Sequence, residues 1–162
     1  MLLQTYLSSP FGCFEIKGSK LGISSVKKVQ KDPCPEQTRP EELQDCVQQL
    51  REYFNRERSV FELKLDFGDT PDFTVAVWNE LLKIPYGHTT SYLAIAKALN
   101  NPEAVRAVGQ ANANNNIAII VPCHRCIASS GDLHGYFYGL DMKRALLELE
   151  NPLSYGRQGS LF

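Results

Sequence analysis

The hydrophobic pattern of the chain changes period once, at Gly68-Asp69-Thr70-Pro71-Asp72, and this break constrains the fold more than any other feature. Before it, residues 4–7, 13–17 and 21–29 read as short strands separated by the turn-rich Ser8-Ser9-Pro10-Phe11-Gly12 and Gly18-Ser19, which predicts an antiparallel meander. After the polar loop 31–39, Pro40 opens a helix in which Leu43, Cys46, Val47, Leu50, Tyr53 and Phe54 follow the three-four spacing of one buried face. Phe61, Leu63, Leu65 and Phe67 then alternate with Glu62, Lys64 and Asp66, the pattern of a half-buried strand. Beyond the break the character is helical, with helices over 73–83, 91–99 and 103–113 and stops at Pro85-Tyr86-Gly87 and Asn100-Asn101-Pro102. The expected organisation is an α/β N-terminal domain (1–68), a mainly α domain (69–152) and a flexible C-terminal tail (153–162).

The brief turn between the second and third of these helices suggests helix-turn-helix. The third is nearly bare, with Ala104, Ala107, Gly109, Ala111 and Ala113. Such a surface suits close approach to nucleic acid in a narrow groove, or else tight helix packing. A net charge of −1, with seven Lys or Arg against seven Asp or Glu in 71–162, gives no global attraction to DNA. Lys97, Arg106 and Arg125 against Glu103 leave a local positive excess, so few phosphate contacts are expected.

The most chemically loaded segment is Ile117-Ala118-Ile119-Ile120-Val121-Pro122-Cys123-His124-Arg125. An apolar run ends at a proline that fixes the backbone and then presents a thiol, an imidazole and a guanidinium. His124 and Arg125 supply electropositive surroundings that lower a thiol pKa, so Cys123 reads as a nucleophile; the bland alternative is a small core hydrophobe. Five cysteines, Cys13, Cys34, Cys46, Cys123 and Cys126, are odd in number and irregular in spacing, which argues against a disulfide framework and for a reducing, cytoplasmic setting. No segment reaches the ~18 apolar residues of a membrane span, and the start lacks a signal-peptide layout. Cys123 and Cys126 have the spacing of a redox or zinc pair but lack a second pair, and no metal or cofactor is expected.

Together, Ser9-Pro10-Phe11-Gly12, Glu52-Tyr53-Phe54, Val77-Trp78, Ile84-Pro85-Tyr86-Gly87, Ser91-Tyr92, residues 104–109, Asn115 and Pro122-Cys123-His124-Arg125 resemble the O6-alkylguanine-DNA alkyltransferases over nearly the whole chain. The resemblance implies a ribonuclease H-like first domain, a winged helix-turn-helix second domain, and irreversible, cofactor-free transfer of an alkyl group from O6 of guanine, or more weakly O4 of thymine, to Cys123. By the same resemblance His124 is the base, reaching the thiol through a bridging water, and Glu150 orients it. Read only as the end of a helix begun near Asp141, Glu150 would be an ordinary exposed carboxylate. Arg106 matches the arginine that fills the space of the flipped nucleotide, and Tyr92 the tyrosine that rotates the 3′ phosphate and donates a proton to the departing guanine. Asn115 matches the hinge asparagine. Ala104, Ala107, Gly109 and Arg125 complete the expected DNA surface, while Val121, Tyr136, Phe137 and Ala118 are the expected pocket residues. Phe137 and Tyr138 stand where the family usually has small residues, and Ala118 and Asn116 replace prolines.

The implied partner is double-stranded DNA containing O6-alkylguanine, bound by a monomer with no membrane role. The alternative is a non-catalytic alkyltransferase-like lesion binder, but those proteins lack the cysteine; a cysteine hydrolase would leave the helix-turn-helix without purpose. The end of the chain, with Gln158, Leu161 and Phe162, resembles the short peptides that bind the bacterial sliding clamp.

Overall fold

The computed structural model describes residues 1–35, 39–133 and 135–153, and the chain divides into two compact units. The first comprises residues 1–69 together with 116–118, and the second the remainder.

In the first unit β1 (Leu3–Ser9), β2 (Gly12–Ser19) and β3 (Gly22–Val29) form the expected antiparallel meander, with Tyr6 opposite Glu15 and Ile16 opposite Val26. Leu7, Phe14, Ile16 and Val26 are buried in its core. Helix α1 (Glu41–Phe54) follows Pro40, whose extended backbone sets the helix entry, and packs on β1 and β2 through Leu43, Cys46, Val47, Leu50 and Tyr53. Gln49 joins that face because its side-chain amide bonds both the N–H and the C=O of Glu62. This pairing helps hold segment 61–67, which is less than the strand its alternation predicts. It makes one isolated parallel bridge, Leu65 with Ile23, in which Ile23 N–H donates to Lys64 and Asp66 N–H donates to Ile23. Gly22 permits it: its φ is +136°, and a Cβ there would stand 2.7 Å from the Lys64 carbonyl oxygen. On the other end of β3, residues 116–118 bridge to Val26, whose N–H donates to Asn116 and whose carbonyl accepts from Ala118.

The cysteine reading needs correction here. Cys13 on β2 and Cys34 in the following loop form a disulfide across 5.3 Å between Cα atoms, so three cysteines are free rather than five. Counting and spacing cannot register that the loop after β3 folds back over the start of β2.

The second unit is mainly helical. Helix α2 (Asp72–Leu81) begins after Pro71 and ends two residues earlier than expected; Lys83 and Ile84 tighten into three-residue bonds to Glu80 and Leu81 before Pro85. Ser91 caps α3 (Tyr92–Ala98) by accepting from Ala94 N–H, and α4 (Val105–Ala113) follows after the 100–102 turn. Trp78 on α2 is buried and donates through Nε1 to the Ala111 carbonyl of α4 at 2.9 Å. Two short strands, β4 (Thr90–Ser91) and β5 (Cys126–Ile127), pair in parallel, and α5 (Leu140–Glu150) closes the unit. No described helix is long and apolar enough to cross a membrane.

Candidate active site

The site is built on a single 3-10 turn, Cys123–Arg125, that follows the buried run 119–121. Cys123 N–H donates to Val121 and Arg125 N–H to Pro122, so three consecutive side chains leave the backbone in different directions while all remain buried. The C-terminal end of α4 holds this turn from one side. Asn115 Nδ2 donates to the Val121 carbonyl at 2.8 Å and lies 3.2 Å from Cys123 Sγ, and Asn112 Nδ2 donates to the Cys123 carbonyl at 3.3 Å.

Helix α5 holds it from the other. Its buried residues Met142, Lys143, Leu146, Leu147 and Glu150 repeat at three and four, so one stripe carries both charged side chains inward. Glu150 Oε2 lies 2.6 Å from His124 Nε2, while Arg125 bonds the same carboxylate through Nε at 2.8 Å to Oε1 and Nη2 at 3.1 Å to Oε2. Nη1 of Arg125 donates to the Ile84 carbonyl at 2.7 Å. Lys143 Nζ donates to Cys126 at 2.7 Å and Gly135 at 3.4 Å, with the Tyr92 ring centroid 6.0 Å away.

Protonation follows from this layout. Burial works to raise the Glu150 carboxyl, but the charge and hydrogen bonds of His124 and Arg125 outweigh it and hold the group ionised, well below the usual carboxylate range. Burial lowers the His124 pKa, with Arg125 and Lys143 adding to the effect against the pull of Glu150. A neutral imidazole 2.6 Å from a carboxylate oxygen carries its proton on Nε2, which leaves the buried Nδ1 as the basic lone pair; that atom has no partner among the described residues. Burial pushes the Cys123 thiol up to about 11, opposed by the Asn115 hydrogen bond and the Lys143 charge. Lys143 itself is brought down to about 8 by burial, and Tyr92 is pushed up to about 12 by burial with help from Cys126 and Cys123. The resting site therefore holds a neutral thiol, a neutral imidazole, a protonated phenol and a carboxylate fixed between two partners.

Residues 72–152 match the family model described as 6-O-methylguanine DNA methyltransferase, DNA binding domain, and residues 2–67 match its ribonuclease-like domain. The chain belongs to the 6-O-methylguanine DNA methyltransferase family. Among curated members, the methylated-DNA--protein-cysteine methyltransferase of Mycobacterium tuberculosis is 44% identical over 148 residues, covering 89% of each chain. The crystal structure of Mycobacterium tuberculosis O6-methylguanine methyltransferase superposes with a TM-score of 0.83 at 41% identity over 94% of each chain. That of Mycobacterium tuberculosis OGT in complex with DNA gives 0.81 at 42% identity over 91% of each.

For a 6-O-methylguanine DNA methyltransferase, the fold brings Cys123, His124, Glu150, Asn115 and Tyr92 into one unit, and Glu150 is buried rather than the exposed helix end that its position suggests. Arg106 and Ala107 are exposed on α4, Ala104 and Gly109 are half-buried, and Ala111 is buried, so the bare helix divides into a packed side and an open side.

Several expectations change. Arg125 is not placed to contact DNA: it is 6% exposed and its guanidinium is committed to Glu150 and Ile84. The local positive excess then rests on Lys97 and Arg106. Nor do His124 and Arg125 lower the thiol pKa, because burial dominates and the Arg125 charge is matched by Glu150. Val121 is buried against the turn, and Tyr136 half-buried with its hydroxyl enclosed and unpartnered among the described residues. Phe137 is 78% exposed rather than enclosed; its ring stands edge-on to Tyr138 at 5.1 Å. Ala118 belongs to the first unit, buried with its N–H bonded to Val26. Gln158, Leu161 and Phe162 lie outside the described residues. Among the described residues no group of three His, Cys, Asp or Glu is placed to hold a metal.

Sequence reasoning missed Lys143 and Asn112. Both were visible as polar residues on otherwise apolar stripes, Lys143 with Leu146, Leu147 and Glu150, and Asn112 with Val108 and Ala111.

Proposed function

We propose that the protein repairs DNA directly, moving a methyl or other alkyl group from O6 of a flipped guanine, and more weakly from O4 of thymine, onto Cys123 in a single irreversible turnover without a cofactor. The observation that carries this reading is the buried pair in which Glu150 fixes the tautomer of His124, the residue that directly follows Cys123. The thiol proton passes by way of a water molecule to His124 Nδ1, and Glu150 stabilises the imidazolium that forms. Sulfur attacks the alkyl carbon, the S–C bond forms and the C–O6 bond breaks. The departing guanine takes a proton at N3 from Tyr92, whose phenol stays protonated at rest. Asn115 and Lys143 stabilise the developing thiolate through a hydrogen bond and a positive charge.

Helix α4 enters the DNA with its open side, and Arg106 fills the space vacated by the flipped nucleotide. The protein acts as a monomer in the cytoplasm, where a reducing thiol pool keeps Cys123 free. Gln158, Leu161 and Phe162 dock on a bacterial sliding clamp; a tail peptide should bind a purified clamp, and the Leu161→Ala, Phe162→Ala peptide should not.

The reaction is tested by digesting a duplex that carries one O6-methylguanine after mixing it with protein. Conversion of one methylguanine to guanine per protein molecule supports transfer. Unchanged DNA, or turnover beyond one equivalent, rejects it.

A further inference from the structure

Arg125 and the turn at residues 84–87 have no assigned part in the reaction, yet Arg125 joins that turn to the Glu150 carboxylate. Arg125 places two nitrogens on Glu150 and a third on the Ile84 carbonyl, using the planar fork that lysine lacks. The turn is itself anchored to the end of α5. Tyr86 Oη donates to the Leu149 carbonyl at 3.4 Å, Asn151 Nδ2 donates to the Gly87 carbonyl at 3.0 Å, and the Tyr86 ring centroid lies 5.9 Å from the guanidinium carbon of Arg125. Gly87 has φ +81°, and a Cβ there would meet the Glu150 carbonyl oxygen at 3.4 Å.

A carboxylate held by His124 alone is free to rotate and to share either oxygen. With Arg125 on both oxygens, Oε2 has one place to be, 2.6 Å from Nε2. We infer that Arg125, braced by the turn at residues 84–87, is a positioning residue that locks Glu150 in the orientation from which it fixes and polarises His124.

This role rests on the proposed transfer reaction and is separable from it. The charged and titratable groups facing His124 are Glu150 on α5, Lys143 on α5 and Arg125 itself, and Arg125 opposes protonation of the imidazole. Losing Arg125 therefore leaves a base that protonates at higher pH.

The test is single-turnover methyl transfer at saturating lesion duplex across pH 5.5 to 9 for the natural protein, Arg125→Lys and Arg125→Met, with duplex affinity measured in parallel. The expected result is a rate loss of about 10- to 100-fold in both variants, the range for removing an outer partner of a functional histidine. The acid limb should move to higher pH in Arg125→Met, duplex affinity should stay within about twofold, and adding Arg125→Met to Glu150→Gln should cost little further. An unshifted pH profile, or a loss of affinity with the saturated rate intact, overturns the inference. If neither variant folds, the coupling is read in Glu150→Gln: the Arg125 Nε–H should exchange slowly in the natural protein and fast in the variant. No change there also overturns it. A natural protein that transfers nothing rejects the reaction, while the exchange measurement still judges the clamp.

Discussion

Glu150 Oε2 and His124 Nε2 are 2.6 Å apart inside the second unit although 26 positions separate them in the chain. The last residue of a helix would ordinarily reach water, but α5 turns its stripe of Met142, Lys143, Leu146 and Leu147 inward and carries Glu150 with it. The distance fixes which ring nitrogen of His124 bears the proton and hence which can accept one.

Replacing Glu150 with Gln should slow methyl transfer by about 10²-fold or more, in the range for a weakened general base. In the natural protein the rate should fall below the ordinary histidine value of 6.5, since the folded His124 pKa lies lower and protonation removes the acceptor, and should decline again above about pH 8 as Lys143 loses the charge that stabilises the thiolate. Stability follows the opposite partner. The folded Glu150 pKa is depressed, so its contribution is complete above the ordinary carboxyl value of 4.5 and is lost as pH falls below it. Denaturant titrations of both proteins should show a gap at pH 7 that closes toward pH 2.

The free thiols should be unreactive in the native state. Burial holds Cys46 and Cys126 at about 12 and Cys123 at about 11. At pH 8 the thiolate fraction of Cys123 is then about two orders of magnitude below that of a free cysteine near 8.5. Timed iodoacetamide labelling followed by peptide mapping should find all three sites slow, with Cys13 and Cys34 protected until a reductant is added. Labelling of Cys123 at the rate of a free thiol contradicts the burial argument.

Trp78 is the single tryptophan and ties α2 to α4 through the Ala111 carbonyl. Trp78→Phe keeps most of the packing but leaves that carbonyl without its indole donor, at a cost of roughly 1–3 kcal/mol. Chemical unfolding followed by circular dichroism should show the loss.

Arg106 is exposed, and its removal should spare the fold. Arg106→Ala should leave stability within about 0.5 kcal/mol and reduce transfer at limiting duplex at least ~10-fold. Equal transfer rates would place the flipping function elsewhere on α4.

Elements that depend on local pattern were legible in the sequence. The meander, α1 and the α3–α4 pair follow from spacing and stop residues, and Asn115 and Cys123, both singled out in the sequence, lie 3.2 Å apart through Nδ2 and Sγ. What was not legible depends on contacts distant in the chain. Alternation over 61–67 gave no sign that only Leu65 would find a bridge, since a strand needs a partner edge as well as a pattern. Cys34 lies in a polar loop, and nothing local brings it to Cys13. Arg125 looked like surface charge because its partners, Ile84 and Glu150, lie 41 and 25 positions away. The thiol pKa was misjudged for the same reason: adjacent charges are visible in sequence, whereas the burial that outweighs them is not.

The central claim is that Cys123 accepts the alkyl group. The most direct measurement is intact and peptide mass after mixing the protein, or Cys123→Ser, with duplex DNA carrying one O6-methylguanine. One added methyl group on the peptide containing Cys123, at one equivalent and absent from Cys123→Ser, is the predicted result. Tight binding of the lesion duplex with no change in mass would contradict it, and would make the protein a lesion sensor whose cysteine takes no part.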